Sequence, residues 1–588
     1  LLWQGDALRA TQTVPFFYNP IRVDGKYLFD GGVYNNFPVD VMQDAFNPDV
    51  IIGANVSTKI YDEYPFEEDE KLITRSLLFM LLDKSDPGSV PENGVYIQPD
   101  LEGYTSFDFA RVKSLIDSGY AQTIRQMGEI KSKVRGRRPC DTLADQRNEF
   151  HNQNYPLRFT DITFQGFSSK QQRYIRRIFH FKSNKPKPFY INQAKSGYFK
   201  MVSENYFSNV YPNIFYDTVA HNFNLMLTRR PQKNFQVDFG GVIATRDVSN
   251  IYLGLNYYTF NNQLFHFYGG FHTGNFYKSA TLRSRIDFPL QFYVEPEVGY
   301  DNWDFLESDD LLREISGHTV LRRINRKYQL NIGLPIAKEF RSVLTVGGIN
   351  NIDRYTNTGV YVSVDTLDEL RLSGFRTEWN VSSNTLNRKQ YASAGRAYSS
   401  TAQYFNLNEH FIPGSTSLED QTVTAKHQWF RIKASAEQYF NAGWFRPGYF
   451  GEAVFSNQPF FQNYYGTLVN APAFTPLQDS RSLLLENFRA FNYLAGGFRN
   501  VFSIRNRLDF RLEGYAFKPI EYLQQGIDQE VRTINDLRAV YFAATAGLVL
   551  HSPMGPISLS VNYYDDKDNQ LGVLLHVGYL MFNRHSVE

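Results

Sequence analysis

A carboxylate stands beside two glycines near the start of the chain, in Asp30-Gly31-Gly32. The preceding Asp24-Gly25 predicts a hairpin turn, so the strand that follows would deliver Asp30 to a tight turn. The glycines leave backbone N–H groups open beside the carboxylate, which could then act as a general base. The alternative is structural, because an Asp-Gly turn often caps a loop through an Asx-turn and does nothing more.

The elements that must position this turn predict a small α/β domain. Residues 50–56 form an apolar run after Pro48, which is typical of a buried parallel strand. Residues 72–82 and 108–127 have the apolar spacing of helices. We therefore expect helices packed against short strands in the first segment.

Two ordered blocks of residues resemble one known family. The first block ends in Asp30-Gly31-Gly32-Val33 followed by Asn35-Asn36-Phe37-Pro38, and the second runs from Ile97-Gln98-Pro99-Asp100 to Ser118-Gly119-Tyr120. Together they are similar to the C-terminal half of the patatin-like phospholipase family. The resemblance covers about residues 1–130, and Thr11 departs from it where the family usually has Ser.

This resemblance implies a lipid acyl hydrolase that uses a Ser–Asp dyad with no His between the two groups. Asp30 matches the position of the catalytic base. The implied substrates are ester lipids, above all phospholipids. The residues that match the active-site loop, which would contact the substrate, are Gly31, Gly32, Asn35, Asn36 and Pro38.

The family's nucleophile lies far upstream of the Asp, in a G-x-S-x-G motif. Here Gly166-Phe167-Ser168-Ser169-Lys170 lacks the last glycine and falls outside the domain. We therefore expect the Ser to precede Leu1, and the chain as given to be inactive alone. The 11 His are scattered, so we expect no metal and no cofactor. No segment resembles a nucleic-acid-binding module.

Charge divides the chain into three segments. Residues 1–150 carry 16 Lys/Arg and 23 Asp/Glu, residues 151–232 carry 12 and 3, and residues 233–588 carry 33 and 34. The polar stretch 136–156 lacks periodicity and predicts a linker. Its Cys140 is the single cysteine, which excludes an internal disulfide.

The basic middle segment, residues 157–232, predicts the order β-α-α-β-β. Alternation at 159–165 and apolar spacing at 169–179 and 192–205 lead into two strands near 213–216 and 223–228. This order resembles the periplasmic POTRA modules that precede Omp85-type barrels. Its basic residues fit either a solvated helix face or attraction to anionic lipid head groups or an acidic partner.

The last segment predicts a membrane-embedded β-barrel. The chain has 50 Phe and 39 Tyr, and no run of 18 apolar residues, which excludes a helical membrane protein. Apolar and polar side chains alternate over residues 502–515, which predicts one long strand, whereas strands of a soluble sandwich are usually shorter. We expect about 16 strands over 233–588, with 301–317 and 457–482 as surface loops.

The end of the chain is similar to Omp85 barrels. Residues 547–557 resemble the strand-Pro-x-Gly-Pro-strand turn before the last hairpin, and 574–582 resemble the aromatic-ended final strand, although six residues follow Phe582. In the family, the outer-membrane assembly machinery recognises that strand. The nearest match to the family's luminal Arg-Gly-Phe/Tyr loop motif is Gly496-Gly497-Phe498-Arg499.

These resemblances imply a multidomain protein: a partial α/β patatin-like domain (1–135), a linker, an α+β POTRA domain (157–232) and an antiparallel transmembrane barrel (233–588). The implied function is that of an outer-membrane-anchored lipid hydrolase. The alternative is an Omp85-type transport or assembly protein with a non-catalytic patatin-like module. Expected partners are ester lipids, the outer-membrane bilayer and the assembly machinery. The POTRA domain would be periplasmic, and the patatin-like domain periplasmic or at the cell surface.

Overall fold

The protein, seen in a computed structural model, forms two compact units, Leu1–Pro156 and Leu157–Glu588. The structure describes residues 4–15, 18, 20–23, 25–56, 87–101, 104, 109–134, 136, 139–152, 157–179, 188–203, 205–207, 209–217, 219, 221–230, 233–246, 248–261, 263–288, 292–305, 321–336, 339–358, 364–440, 443–505, 507–536, 538–567 and 570–588.

The first unit contains five described helices and two small sheets. Its helices are α1 Gln4–Ala10, α2 Val39–Phe46, α3 Val112–Arg125, α4 Met127–Lys133 and α5 Cys140–Asn152. Its strands are β1 Ile21–Val23, β2 Lys26–Leu28, β3 Ile52–Ala54 and β4 Val95–Ile97. The predicted hairpin is confirmed, since β1 pairs with β2 around Gly25 at φ +82°. The predicted parallel strand is confirmed in β3, which pairs with β4, and the helix predicted over 72–82 lies outside the described residues.

Within the predicted linker, residues 136–156, the helix α5 occupies Cys140–Asn152. No residue of α5 is buried, so this helix has no apolar face that would show as periodicity. It contains good helix formers such as Ala, Leu, Gln and Glu, and the linker role stays a prediction. No helix among the described residues is long and apolar enough to cross a membrane.

The second unit begins with a β-α-α-β-β domain. Its elements are β5 Arg158–Gln165, α6 Ser169–Ile178, β6 Phe189–Tyr190, α7 Ile191–Ser203, β7 Val210–Asp217 and β8 Asn222–Arg229, and the sheet order is β6-β5-β8-β7. The structure therefore contains the predicted order, with one added two-residue strand. Ser168, in the incomplete G-x-S-x-G match, forms a capping box with Gln171 at the start of α6. Its role there is structural.

The core of this domain extends into the next part of the chain. Phe159, Ile175 and Phe207 are fully buried in a cluster that also contains Tyr258, Phe260 and Leu264. The last three belong to two strands of the next part of the chain, β10 (Asn250–Phe260) and β11 (Leu264–Gly274). The domain is therefore packed directly on those strands and shares its apolar core with them.

Sixteen antiparallel strands close into a barrel, which confirms the predicted architecture. The strands are β9 Phe235–Ala244, β10 Asn250–Phe260, β11 Leu264–Gly274, β12 Tyr277–Asp287, β13 Tyr293–Asp304, β14 Arg322–Pro335, β15 Arg341–Tyr355, β16 Asp368–Asn384, β17 Gly395–Ile412, β18 Val423–Tyr439, β19 Phe445–Ser456, β20 Tyr493–Arg505, β21 Leu508–Pro519, β24 Tyr541–Ser552, β25 Gly555–Tyr564 and β26 Leu571–Gly578. A separate hairpin, β22 Tyr522–Gln525 and β23 Val531–Ile534, follows β21, and a short helix, α8 Tyr464–Asn470, follows β19.

The barrel wall is apolar outside and polar inside. In β10, Ile251 and Leu253 are exposed, whereas Asn250 and Asn256 on the alternate positions are buried in the lumen. Other exposed apolar side chains on the wall are Phe239, Leu282, Phe430, Phe498, Leu512, Phe542 and Leu559. This alternation is the pattern of a wall with lipid on its outer face.

The single strand predicted over 502–515 is wrong, because β20 ends at Arg505 and β21 begins at Leu508. The alternation hides this change of strand. Phe502 pairs with Phe510 and Ser503 pairs with Asp509, so both strands keep even-numbered residues on the outer face. A register shift between Ser503 and Arg505 preserves that parity from one strand to the next.

Candidate functional site

Asp30 lies at the start of a single 3-10 turn over Gly31–Val33. Its Oδ1 accepts the backbone N–H of Gly32 at 2.8 Å, and its own N–H donates to the carbonyl of Thr13 at 3.0 Å. The side chain is half-buried. Within the described part of the chain, Oδ2 has no hydrogen-bond partner. The turn therefore has the Asx geometry of the structural alternative, and it also leaves one carboxylate oxygen open to accept a proton.

The two glycines of the turn differ in the space around them. A Cβ on Gly32 would lie 2.8 Å from Oδ1 of Asn36 and 3.2 Å from Oδ1 of Asp30, whereas a Cβ on Gly31 would meet nothing within 4 Å. The structure thus brings Asp30, Gly32 and Asn36 together, and leaves Gly31 at the exposed rim of the turn.

Gly32→Ala is expected to destabilise the first unit by about 1–2 kcal/mol, because the new methyl must displace the Asn36 amide or the Asp30 carboxylate. Gly31→Ala is the matched control and should leave stability within about 0.5 kcal/mol. Limited proteolysis over a denaturant series, read from cleavage of the first unit, measures both. Equal effects of the two variants would contradict the tight packing at Gly32.

Asn35, also predicted for the active-site loop, forms hydrogen bonds within the loop. Asn35 Nδ2 donates to Oδ1 of Asp40 at 2.9 Å, and Asn35 Oδ1 accepts the N–H of Phe37 at 3.3 Å. The Asn35 hydrogen bond, together with the Val41 backbone N–H, lowers the pKa of the exposed Asp40 carboxyl. Pro38 stands at the N-cap of α2. A role in substrate contact stays a prediction for Asn35, Asn36 and Pro38.

No hydroxyl or thiol in the described part of the chain is hydrogen-bonded to Asp30. Thr13, whose carbonyl receives the Asp30 N–H, donates its own hydroxyl to the carbonyl of Arg9 at 2.7 Å. It is therefore not oriented as a nucleophile toward Asp30. The described residues supply the proposed base alone, and the catalytic role of Asp30 stays a prediction.

The loop that connects β19 to β20, residues 457–492, folds into the barrel lumen. Arg323 on β14 donates from Nε to Asp353 Oδ1 at 2.8 Å, from Nη1 to the carbonyl of Val469 at 2.8 Å and from Nη2 to Asn470 Oδ1 at 3.0 Å. Asn470 also donates a hydrogen bond from Nδ2 to Asp353 Oδ2 at 2.8 Å. Polar wall side chains thus fasten α8 inside the barrel, so the prediction of a surface loop over 457–482 is wrong.

A second anchor holds the same loop further along. Arg246 donates to Asp479 Oδ2 at 2.9 Å, and the hydroxyl of Tyr564 donates to Asp479 Oδ1 at 2.6 Å. The Arg-Gly-Phe/Tyr assignment is wrong, because Gly496-Gly497-Phe498-Arg499 lies within strand β20. The family motif places an arginine on the loop. Here Arg323 of the wall and Arg246, between β9 and β10, donate to a carbonyl and an acid of the loop.

A buried charge network crosses β18, β20 and β21. Arg499 pairs with Glu437 at 2.5 Å, and its Nε lies 3.9 Å from Glu513. Arg511 pairs with Glu513 at 2.8 Å and donates from Nη1 to the carbonyl of Ala392 at 2.7 Å. The network therefore joins three wall strands to the segment 385–394 that connects β16 to β17.

The last strand ends earlier than the sequence indicates. β26 stops at Gly578, and the following residues, 579–588, which we call the tail, turn into the lumen. The predicted strand over 574–582 is therefore wrong at its end. Gly578 has φ +101°, and a Cβ at this position would lie 2.1 Å from the carbonyl oxygen of Gly241, a requirement that alternation cannot reveal. Phe582 packs on Tyr277 and Trp303, each with a ring-centre distance of 5.2 Å.

The inward turn leaves a short seam between the first and last strands. β26 pairs with β9 through His576–Ala244, Val577–Ile243 and Gly578–Val242, and the N–H of Thr245 donates to the carbonyl of Leu575 at 2.9 Å. A luminal cavity of about 620 Å³ lies beside the tail. Its lining mixes both signs of charge and includes Arg283, Lys327, Arg376, Glu297, Glu437 and Arg584. The lumen is thus a polar space occupied by two segments of the chain.

Residues 5–42 match the protein family described as patatin-like phospholipase. This segment is patatin-like. Three solved structures are similar to the chain at low identity. BamA from Haemophilus ducreyi lacking POTRA domains 1–3 is 12% identical, covers 72% of this chain and 84% of its own, and has a TM-score of 0.48. CdiB from Acinetobacter baumannii is 9% identical, covers 87% of this chain and 98% of its own, and has a TM-score of 0.43. CdiB from Escherichia coli is 12% identical, covers 72% of this chain and 76% of its own, and has a TM-score of 0.40.

The patatin-like segment contains the whole Asp30 turn and the start of α2. It ends before β3, so the family match covers the turn and not the sheet behind it. The sixteen strands of the second unit form a barrel of the membrane-spanning kind, since a closed antiparallel wall with an apolar outer face has no open strand edge inside a bilayer.

Proposed function

We propose that the protein is an outer-membrane barrel of the transport or assembly type that carries a patatin-like module. The observation that supports this proposal is the way the lumen is closed. Barrels of about sixteen strands enclose a space wide enough for an aqueous channel. Here two segments of the chain, the 457–492 loop and the tail, occupy that space.

Both segments are attached by side-chain hydrogen bonds and ion pairs. The loop depends on Arg323 and Arg246. The tail depends on Arg376, Gln403 and Arg431, which donate hydrogen bonds to its backbone oxygens. Such contacts can break while the wall strands stay paired, because each is a local bond and not part of the strand ladder. A lumen closed in this way can open without unfolding the barrel.

Arg323→Leu is expected to raise ion conductance across a planar lipid bilayer several-fold, because it releases α8 from the wall. Arg396→Leu is the matched control, since Arg396 forms an exposed pair with Glu339 at 2.6 Å on the same wall and should leave conductance unchanged. Heat-modifiable migration on gels shows that each variant is folded. A folded Arg323→Leu barrel that conducts no better than the parent would overturn the proposal.

A second function, lipid acyl hydrolysis, is favoured by the patatin-like segment and by the open Oδ2 of Asp30. In this proposal Asp30 takes the proton of a Ser hydroxyl as that oxygen attacks an ester carbonyl. The Ser would lie upstream of residue 1. If the sequence ahead of residue 1 carries no G-x-S-x-G motif, this second proposal fails and the first is unaffected.

A further inference from the structure

Three polar side chains stand in a row across neighbouring strands of the barrel. Asp301 on β13 is paired with Asn325 on β14, and Asn325 is paired with Asn351 on β15. Residues paired in this way have Cβ atoms about 4.5–5.5 Å apart on one face of the sheet. The face is luminal, because Trp303, two residues after Asp301, packs on Phe582 of the tail. The row therefore brings one carboxyl group and two amide groups together inside the barrel.

The row is closed off from solvent. Asp301 is 1% exposed, and Asn325 and Asn351 are 0% exposed. On β15 the buried side chain of Ile349 flanks Asn351 on the same face. In such surroundings a polar group without a partner is costly, because neither solvent nor a high dielectric constant compensates it.

Three of the four side-chain oxygens in the row have no protein donor. Asp301 Oδ1 accepts from Trp303 Nε1 at 2.7 Å and from Asn325 Nδ2 at 2.5 Å. Within the described part of the chain, no group donates to Asp301 Oδ2, Asn325 Oδ1 or Asn351 Oδ1, and Asn351 Nδ2 has no acceptor. Buried oxygens of this kind are satisfied by water or by an ion.

The carboxylate of the row also has no counter-charge. Two basic residues of β14 lie on the same face, but Arg323 pairs with Asp353 at 2.8 Å and Lys327 pairs with Glu297 at 2.9 Å. Among the residues that the structure describes, no basic side chain forms an ion pair with Asp301. Because a buried carboxylate is stable only when it is paired or coordinates a metal, the row favours a cation over water.

We propose that Asp301, Asn325 and Asn351 bind a calcium ion in the lumen. Carboxylate and amide carbonyl oxygens are the ligands that Ca²⁺ takes, and water completes its shell of about six to eight oxygens. The scattered His predicted no metal, and no group of three His, Cys, Asp or Glu side chains in the described ranges is placed to hold one. Neither observation reports this site, because two of its three ligands are amides. The site goes beyond the proposed function and does not rest on it.

The surroundings set a weak affinity. The site supplies one negative charge, and Arg323 and Lys327 on the neighbouring strand repel a dication. We therefore expect a Kd of about 10⁻⁴–10⁻³ M, the range of calcium sites that work at millimolar concentrations. Mg²⁺ requires a near-ideal octahedral shell and gives up its waters reluctantly, so it should bind at least about tenfold more weakly.

The test uses Tb³⁺, a luminescent substitute for Ca²⁺, and the full chain folded in detergent micelles. Trp303 donates directly to Asp301, so ultraviolet excitation of its indole should sensitise the emission of a bound ion. Trp303→Phe should lose this emission, because it removes the absorbing group. With Tb³⁺ below its own dissociation constant, Ca²⁺ should halve the Trp303-dependent emission at about 0.1–1 mM.

Variants of the row separate this site from other bound ions. Asp301→Asn should lower the Trp303-dependent emission at least about tenfold, and Asn351→Leu should raise the Ca²⁺ concentration for half-displacement at least about tenfold. Asn331→Ala is the matched control, since Asn331 lies on the luminal face of β14 and its amide is already bonded to Glu297 and Thr345. It should behave like the parent. Equal emission from the parent and Asp301→Asn, or emission that survives Trp303→Phe, would overturn the site.

Thermal unfolding provides a measurement that does not depend on luminescence. Millimolar Ca²⁺ should raise the unfolding midpoint of the parent by a few degrees relative to EDTA, because the ion binds the folded state. Asp301→Asn should show no such shift, and in EDTA it should be at least as stable as the parent, because its amide carries no buried charge and can donate to the free oxygens. A parent midpoint that is equal in Ca²⁺ and EDTA would refute the site and assign the row to water.

Discussion

Asp30→Asn is expected to lower ester hydrolysis by about 10²–10⁴-fold in a form of the protein whose sequence ahead of residue 1 supplies the Ser nucleophile. The amide oxygen still accepts the Gly32 N–H, so the turn keeps its shape. What the variant loses is the carboxylate that would take the Ser proton. Release of fatty acid from phospholipid vesicles and hydrolysis of an ester dye both measure the effect.

Asp40→Asn supplies the control for that experiment. Asp40 lies in the same patatin-like segment and is exposed, with its carboxyl engaged by Asn35. The Asp40→Asn variant should retain nearly full hydrolysis, because the Asp40 carboxylate accepts a hydrogen bond within the loop and is not the proposed base. If Asp30→Asn and Asp40→Asn hydrolyse at the parent rate, Asp30 is a structural cap only and the dyad assignment is refuted.

The second large effect is expected from Glu513→Leu, which should lower the free energy of unfolding of the barrel by about 3–5 kcal/mol. Glu513 is the shared partner of Arg511 and Arg499, and all three side chains are largely buried. Removing the carboxylate leaves Arg511 without an acidic partner and Arg499 with Glu437 alone. Thermal unfolding followed by heat-modifiable gel migration measures the loss.

Glu339→Leu is the control for the charge network. Glu339 pairs with Arg396 at 2.6 Å, but both side chains are 48% exposed, and such pairs contribute little to stability. We expect the midpoint of its thermal transition to match the parent. A Glu513→Leu barrel as stable as the Glu339→Leu barrel would show that the luminal arginines are satisfied by water.

The sequence predicted the barrel well because lipid outside and a polar lumen inside impose alternation on every strand. Ile251 and Asn250 show this pattern at its simplest. The same rule failed between β20 and β21, because these two paired strands share one parity and the change of strand leaves no mark on the pattern. Alternation reports which face a residue occupies, and it does not report the direction of the chain.

The segments inside the lumen were the least predictable. The 457–492 loop is rich in polar residues, which sequence reasoning assigns to the water-exposed surface. The barrel interior is also polar, so Asn470 and Asp479 find partners in Arg323 and Arg246 instead of solvent. Those bonds join residues more than a hundred positions apart, and neither composition nor periodicity carries that information.

At the Asp30 turn, local sequence rules were sufficient for the geometry. Asp-Gly-Gly predicted the Asx-turn, and the structure has it. Local rules could not decide between a cap and a base, because that choice depends on the group that faces Oδ2. The carboxylate is compatible with both, so the presence or absence of a Ser hydroxyl facing Oδ2 decides between them.

The core shared between the β-α-α-β-β domain and the barrel sets an order of events during biogenesis. Tyr206 and Phe207 pack against Phe260 of β10, at ring-centre distances of 4.9 and 5.4 Å. A chain in which β10 and β11 have not yet formed would carry this apolar face uncovered. We therefore expect the domain to complete its core together with the β10–β11 hairpin, and to be prone to aggregation before that step.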